Sequence, residues 1–424
     1  MRSSVVQLAH ARLLIVGGGA GGLGAASKFA RKLPQNSVAI IEPSERHYYQ
    51  PGFTFVGAGE LRLADNQRNE EDLIPSKVKW YKNAAKRLVP ENNSVILDNG
   101  DTLTYDYLVI ACGIQPRFDL IKGAPEALQL EGSGVCSIYL PHLAEKTHRE
   151  IQAFKSGNAI FTFPAGPIKC AGAPQKIMYL ADEIFRKRGV RDAAKIDYYT
   201  SLPKIFGVEK YAQALDKVVK AKDITLHART VLKEIRLNTK SAIFDVYNAE
   251  GKPSGETIES KFTLLHVAPV CRPIATVSEC SSLVDAAGFV DVDPETLQSR
   301  KFTNVFAIGD TANTPNAKTA AAVSGQLGTL EVNLKAAMNG KPLGSKYDGY
   351  ASCPLLVGGN KVILAEFTPK GPLETLPVNQ AVPRSVSYLL KRYIMQPLYW
   401  HGLVKGYWNG PTTIRKILHF GRSN

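Results

Sequence analysis

The residues best placed to do chemistry lie in "FTFPAGPIKCAGAPQK", residues 161–176, where Lys169 and Cys170 occupy a Gly/Pro-rich turn. A thiol beside a cation in an open turn ionises readily, and the thiolate is both a nucleophile and a redox group. The chain has six cysteines: Cys112, Cys136, Cys170, Cys271, Cys280 and Cys353. None forms C-x-x-C and none stands at ligand spacing from a histidine, so no metal site is expected. Six widely spread cysteines in 424 residues do not form a secreted disulfide scaffold either. Cys353, in "YDGYASCPLLVGG", follows Cys170 by 183 positions, so only the fold could bring the two together. Cys112 reads as a small core residue, Cys136, Cys271 and Cys280 as bystanders, and Lys176 as a solvated helix residue.

The elements around these thiols are those of a dinucleotide-binding chain. "ARLLIVGGGAGGLGAASKFA" is a strand, a Gly turn and a helix, with Gly17, Gly19 and Gly22 in G-x-G-x-x-G spacing. A second apolar strand, "VAII", ends at Glu42, whose carboxylate can accept ribose hydroxyls. The helix start then faces phosphates with its positive dipole end. The late segment "FTNVFAIGDTANTPNAKTAAAV" ends a buried strand at Gly309 and Asp310. An acid there can hold the ribityl chain of FAD, and the helix start near Lys318 can place positive charge by the flavin N1 edge. NAD needs neither, so FAD is the expected cofactor. "TLTYDYLVIACG" supplies a further strand, ending in Gly113. Between these segments, "NAIFTFPAGPIKCAGAPQKIMYLADEIF" keeps the strand and helix of a second nucleotide site but not its glycine loop. Its prolines donate no N–H to phosphates, so no nicotinamide is expected there.

Apolar residues make up 44% of the chain and charged residues 21%, as in a protein with a real core. No apolar run is long enough for a transmembrane helix. The net charge is +14, yet no basic block is interleaved with aromatics and no nucleic-acid motif occurs, so nucleic acid is excluded. Residues 375–424 contain no acid and seven bases: Arg384, Lys391, Arg392, Lys405, Arg415, Lys416 and Arg422. In the same stretch Val386, Leu389, Leu390, Tyr393 and Ile394 share one helix face, with Lys391 and Arg392 outside it, and Tyr393, Tyr399, Trp400 and Trp408 cluster. A last helix is expected from Pro411 to Gly421. This composition suits an interfacial region that meets an anionic membrane. The flavin motifs end before residue 384, so this region is expected to be separable from the flavin site. The acid-free N-terminus, "MRSSVVQLAHAR", suits either a transit peptide or a tail before the first strand.

Taken together, the early G-x-G-x-x-G, the central Y-D-x-L-V-x-A-x-G and the late G-D resemble the flavin disulfide reductase superfamily. "ERHYYQPGFTFVGAG", "P-x-K-C-A-G-A-P-Q-K-I-M-Y-L", "KTAAAV" and "YDGYASCPL" go further. They resemble the mitochondrial-type sulfide:quinone oxidoreductase family from about residue 11 onwards. The resemblance implies that Cys170 and Cys353 are the redox pair at the flavin, as a disulfide with or without a bridging sulfur, and that Gln50 and Pro51 lie along the flavin. It implies attack by hydrosulfide, with Cys353 carrying the persulfide and Cys170 facing the flavin. Two electrons then pass through FAD to ubiquinone, and the sulfane sulfur passes to an acceptor such as glutathione or sulfite. It also implies a peripheral, monotopic protein of the mitochondrial inner membrane, and leaves a homo-oligomer open. The competing readings are a type II NADH:quinone oxidoreductase and a non-catalytic membrane-docking flavoprotein. The expected architecture is α/β, with two Rossmann-like domains in tandem and a C-terminal amphipathic helical region. Its parts are an FAD-binding domain over 11–115 and 286–345, a second Rossmann-like domain over 116–285, and a redox-cysteine and membrane region over 346–424.

Overall fold

The computed structural model describes residues 8–420. Two mostly parallel sheets organise the chain. In the first, β1 (Leu8–Val16) lies between β2 (Val38–Ile41) and β3 (Thr102–Ile110), with the strand Val78–Tyr81 beyond β2. An antiparallel pair, Ala85–Val89 and Ser94–Leu97, extends the β3 side. The chain returns about 200 residues later to add β6 (Val305–Ala307) parallel to β3. The interior strands are near-continuous apolar runs because both faces are covered. Register brings Val16, Ile41, Ile110 and Ala307 level. Gly17, Glu42, Cys112 and Asp310 therefore leave the sheet together at its carboxyl edge, where open α/β sheets bind ligands.

The second sheet is wholly parallel. Its order is Val135–Cys136, Leu264–His266, β4 (Gly157–Phe163), β5 (Ala194–Thr200) and Ile224–Ala228. Helix α2 (Ala173–Lys187) follows β4 through the turn 164–172. Three antiparallel strands, Thr230–Arg236, Ser241–Tyr247 and Pro253–Lys261, form a separate small sheet. Helix α3 (Ala320–Met338) begins at Thr319, whose hydroxyl caps the Ala322 N–H, and packs on the first sheet's helix α1 (Ala20–Ala30). The hairpin β7 (Ala351–Gly358) and β8 (Lys361–Thr368) then packs across α2.

The C-terminal region follows its expected packing in its apolar stripe and departs from it at Tyr399 and Trp400. Helix α4 (Ser385–Leu389) runs into π-helical turns over Leu390–Ile394 and Leu398–Leu403, and α5 covers Thr412–Leu418. Pro411 caps α5 rather than opening it, and Gly421 lies outside the described residues. The apolar stripe does not turn to the core: Val386, Leu389, Tyr393 and Ile394 are each more than half exposed, while Ser387 and Lys391 point inward and are buried. Ten of the fourteen exposed large apolar side chains of the described residues lie after residue 377, so exposure is concentrated here rather than scattered. Tyr399 and Trp400 were expected at the membrane face, and the structure corrects this. Both are buried against Tyr49 and His47, because the wide turns rotate them under the helix. Tyr393 and Tyr407 are exposed, and Trp408 is half-buried. No helix among the described residues is long and apolar enough to cross a membrane.

Candidate redox and dinucleotide site

The turn between β4 and α2 carries the thiols. Cys170 has φ +52°, a left-handed conformation that is uncommon for a side-chain-bearing residue outside Asn and Asp. Two backbone bonds hold it there. Its N–H donates to the Lys318 carbonyl at 2.9 Å, and its carbonyl accepts the Ala173 N–H at 2.9 Å. The thiol turn is thus tied to the start of α3, and Lys169 and Lys318 form a bridge of parallel strand type. Cys353, on β7, faces the same turn. Its sulfur stands 3.4 Å from that of Cys170, the pairing that spacing alone could not show. Gly172 makes this approach possible, since a Cβ there would meet the Cys353 sulfur at 2.4 Å and a Leu355 methyl at 2.4 Å.

Electrostatics distinguish the two sulfurs. A hydrogen bond from Cys353 holds Cys170 well below the usual thiol range; burial opposes this, and the ammonium groups of Lys176 and Lys391 assist. Cys353 is pushed well above it by the same bond to Cys170, by burial and by the neighbouring negative charge. Within the pair, Cys170 is therefore the more acidic sulfur and Cys353 the less acidic one. Cys170 is the one cysteine of the six driven down. Burial raises Cys112 to about 11, Cys136 to about 12, and also Cys271 and Cys280.

The cation at the thiolate is not the one expected. Lys169 reaches instead to Gln50 Oε1, at 3.4 Å. Lys176, read from sequence as solvated, is 3% exposed and donates to Cys170 Sγ at 3.4 Å, with Cys353 Sγ at 4.0 Å. The reason is geometric: residues 170–173 bend back so that the first turn of α2 overhangs the sulfurs. Burial works against its charge, but the thiols outweigh it and Lys176 is held protonated. Lys391, equally buried, comes from the C-terminal region, and burial together with the charge of Lys176 brings it down to about 7. In sequence, Lys391 stood only as a base off an apolar stripe, and Lys176 carried no signal.

The first glycine loop is built for a different guest. At Gly17, φ is +102° and a Cβ would strike the Cys112 backbone at 2.5 Å; at Gly22 it would strike the Gly17 carbonyl oxygen at 1.7 Å. Those two glycines serve the turn itself. Gly19 does not: its Cβ position is 4.0 Å from the nearest atom, and its N–H makes no hydrogen bond among the described residues. The open space and free donor at the start of α1 fit a pyrophosphate. Gly18, a free position in the motif, is also constrained, because a Cβ would lie 2.5 Å from Glu70 Oε1 and 2.6 Å from Glu42 Cγ. Glu42 accepts the Gly18 N–H at 2.6 Å and the Ser44 N–H at 2.7 Å. Asp310 follows Gly309 (φ +75°), whose N–H donates to Gln326 at 2.7 Å. Burial raises the Asp310 carboxyl, with Lys318 and Lys169 pulling the other way. Gly113 (φ +67°) leaves open space beside the loop. Gln50 and Pro51 form a short 3₁₀ turn next to the thiol loop. This set of a free helix start and two carboxylates at one sheet edge fits a flavin dinucleotide. The structure thus brings every flavin-side residue of the sequence reading to one sheet edge or the adjoining thiol turn.

The comparisons agree with this geometry. Residues 11–160 match the pyridine nucleotide-disulphide oxidoreductase family. The solved sulfide:quinone oxidoreductase of Aquifex aeolicus shares the fold, with a TM-score of 0.80 at 18% identity over 97% of this chain and 95% of that one. The mitochondrial sulfide:quinone oxidoreductase of Schizosaccharomyces pombe is 38% identical over 95% of this chain and 92% of its own length. That of Mus musculus is 45% identical, over 97% of this chain and 90% of its own length. A chain this similar over nearly its whole length, with its two distant cysteines brought into contact, belongs to the mitochondrial sulfide:quinone oxidoreductase family.

Proposed function

We propose that this chain oxidises hydrogen sulfide and reduces a quinone, using the Cys170–Cys353 pair beside a flavin. The observation that carries this reading is the 3.4 Å sulfur contact under the buried Lys176, at the helix start where a nicotinamide site would hold phosphates. Hydrosulfide attacks the oxidised pair at one sulfur: a new S–S bond forms, the Cys170–Cys353 bond breaks, and its electron pair stays on the released thiolate. Cys170 is the better leaving group, since its thiolate is the stabilised one, so the persulfide forms on Cys353. Lys176 and Lys391 hold the negative charge that appears on Cys170. A nucleophilic acceptor such as glutathione or sulfite removes the outer sulfur, and two electrons leave as the pair re-oxidises. Gly19, Glu42, Asp310 and the α3 start near Lys318 would hold FAD, which would supply the two-electron acceptor between the thiols and ubiquinone. The exposed apolar side chains of the C-terminal region, Leu389, Tyr393, Ile394 and Ile417, together with its exposed bases Arg384 and Lys416, seat the protein peripherally on the mitochondrial inner membrane, where the quinone resides.

The test is anaerobic. Stoichiometric sulfide is expected to bleach the flavin, and quinone to restore it; NADH at micromolar concentration is expected to do nothing. Rapid bleaching by NADH would favour a type II NADH:quinone oxidoreductase, and no bleaching by either a non-catalytic flavoprotein.

A further inference from the structure

The C-terminal segment does not merely follow the flavin-binding fold; it is bolted to the phosphate loop. Tyr399 reaches His47 Nε2 with its hydroxyl at 2.6 Å. The opposite ring nitrogen, Nδ1, lies 3.1 Å from the Gly18 carbonyl oxygen and 3.2 Å from Glu70 Oε2. A carbonyl can only accept, so Nδ1 carries the proton and donates; in the neutral ring, Nε2 then accepts from Tyr399. All three side chains are buried. Around them the same segment grips α1: Ser27 donates to the Val404 carbonyl at 2.8 Å, and Arg31 donates to the carbonyls of Lys405 at 2.8 Å and Gly406 at 3.2 Å.

The Gly18–Gly19 peptide is where this matters. A trans peptide points its C=O and N–H in opposite directions. With the Gly18 carbonyl drawn to His47, the Gly19 N–H is turned away from the imidazole and has no acceptor among the described residues. Glycines on both sides of that bond give the plane little resistance to rotation, so something else must fix it.

We propose that Tyr399 and His47 are positioning residues for the dinucleotide: the C-terminal segment orients the imidazole, and the imidazole orients the Gly18–Gly19 peptide toward the pyrophosphate. Seating of the membrane segment and grip on the dinucleotide are then linked, and linkage of binding free energies is reciprocal. This rests on the reading that the Gly17–Gly22 loop holds FAD.

The experiment compares the full-length holoprotein with Tyr399→Phe, His47→Gln, their double variant and Ser27→Ala. Phenylalanine keeps the ring packing and removes only the hydroxyl. FAD dissociation is followed by fluorescence of released flavin, with and without vesicles of anionic phospholipid, and amide exchange of residues 18–23 is followed in the flavin-free proteins. Tyr399→Phe and His47→Gln are each expected to weaken FAD binding roughly tenfold, the size set by breaking one buried hydrogen-bonded link. The double variant is expected to be no worse than the weaker single one, and amides 18–23 to exchange faster in all three. Ser27→Ala, which removes a bond between the same segments outside the relay, is expected to lower the melting temperature and leave FAD affinity alone. Vesicles are expected to tighten FAD in the unaltered protein and not in Tyr399→Phe. FAD affinities within twofold of the unaltered protein, additive losses in the double variant, or no vesicle effect on the unaltered protein would each overturn the proposal. Should the unaltered protein carry no FAD, the cofactor reading fails, and amide exchange still decides whether the relay orders the loop.

Discussion

The two strand-to-helix turns, 17–22 and 164–172, start from one plan and end in different chemistry. Each leaves the carboxyl end of a parallel strand and opens a helix whose first N–H groups need a partner. At the first turn the chain withdraws: Gly19 leaves space and a free N–H, and Glu42 waits across the edge. At the second the chain fills the space itself. Pro164 and Pro167 remove donors, Cys170 adopts a left-handed backbone, and Gly172 admits Cys353 and Leu355 from the hairpin. The turn that leaves room for an anion at the first sheet has a counterpart at the second that holds the Cys170–Cys353 pair. The filled second turn leaves no phosphate cradle and holds the two sulfurs in its place.

Substitutions at the two turns separate these roles most sharply. Cys170→Ser and Cys353→Ser should each cost about 10³-fold or more in sulfide oxidation while flavin content, read from absorbance after dialysis, stays that of the unaltered protein. Gly22→Ala should do the reverse and yield a flavin-free protein, since its methyl would overlap the Gly17 carbonyl. Sulfide turnover in Cys170→Ser near the unaltered rate would erase the distinction between the turns.

Asp310→Ala comes next in size. The lost acceptor for a buried ribityl hydroxyl is worth about 1.5–3 kcal/mol, or roughly 10- to 100-fold in flavin affinity. Equilibrium dialysis reads it, and unchanged retention would remove Asp310 from the flavin site.

Lys176→Met tests the thiol turn without touching sulfur. With its nearest cation gone, Cys170 should ionise about 1–3 pH units higher. Iodoacetamide alkylation of the reduced enzyme against pH measures that midpoint. A midpoint unmoved by the substitution would assign the thiolate to the helix start and Cys353 alone.

The smallest effect is on stability. Lys391 has a folded pKa of about 7, below the ordinary lysine value of about 10.4. The unfolded chain therefore binds more protons between these limits, so the cost of burying Lys391 is full below pH 7 and fades as pH rises toward 10. Cys170, also depressed, tilts stability the same way up to its ordinary thiol range. Lys391→Met should flatten the rise in melting temperature between pH 7 and 10. An unchanged slope would place the Lys391 ammonium in water.

Removal of residues 384–424 now carries a different expectation from the sequence alone. The flavin motifs end earlier, which suggested a separable tail. Yet Lys391 sits at the thiols, Tyr399 reaches the phosphate loop through His47, and Val404 accepts from α1. Truncation should loosen flavin as well as membrane contact.

What the sequence determined by itself is local. G-x-G-x-x-G after an apolar strand, an acid at the end of β2 and Gly309–Asp310 after a buried strand each encode their geometry within a few residues. Backbone sterics and helix dipoles act at that range. The absence of a second glycine loop was equally legible, because proline's missing N–H is a covalent fact. The Cys170–Cys353 pairing entered through family resemblance; no spacing of 183 residues implies contact. Tertiary structure alone decided which lysine serves the thiolate and where Tyr399 goes. These choices turn on burial. An ammonium leaves water when a thiolate compensates it, as Lys176 does. An apolar stripe faces outward when the opposite side of its helix carries Lys391 to the thiols, and helical periodicity records that a face exists but not which way it turns.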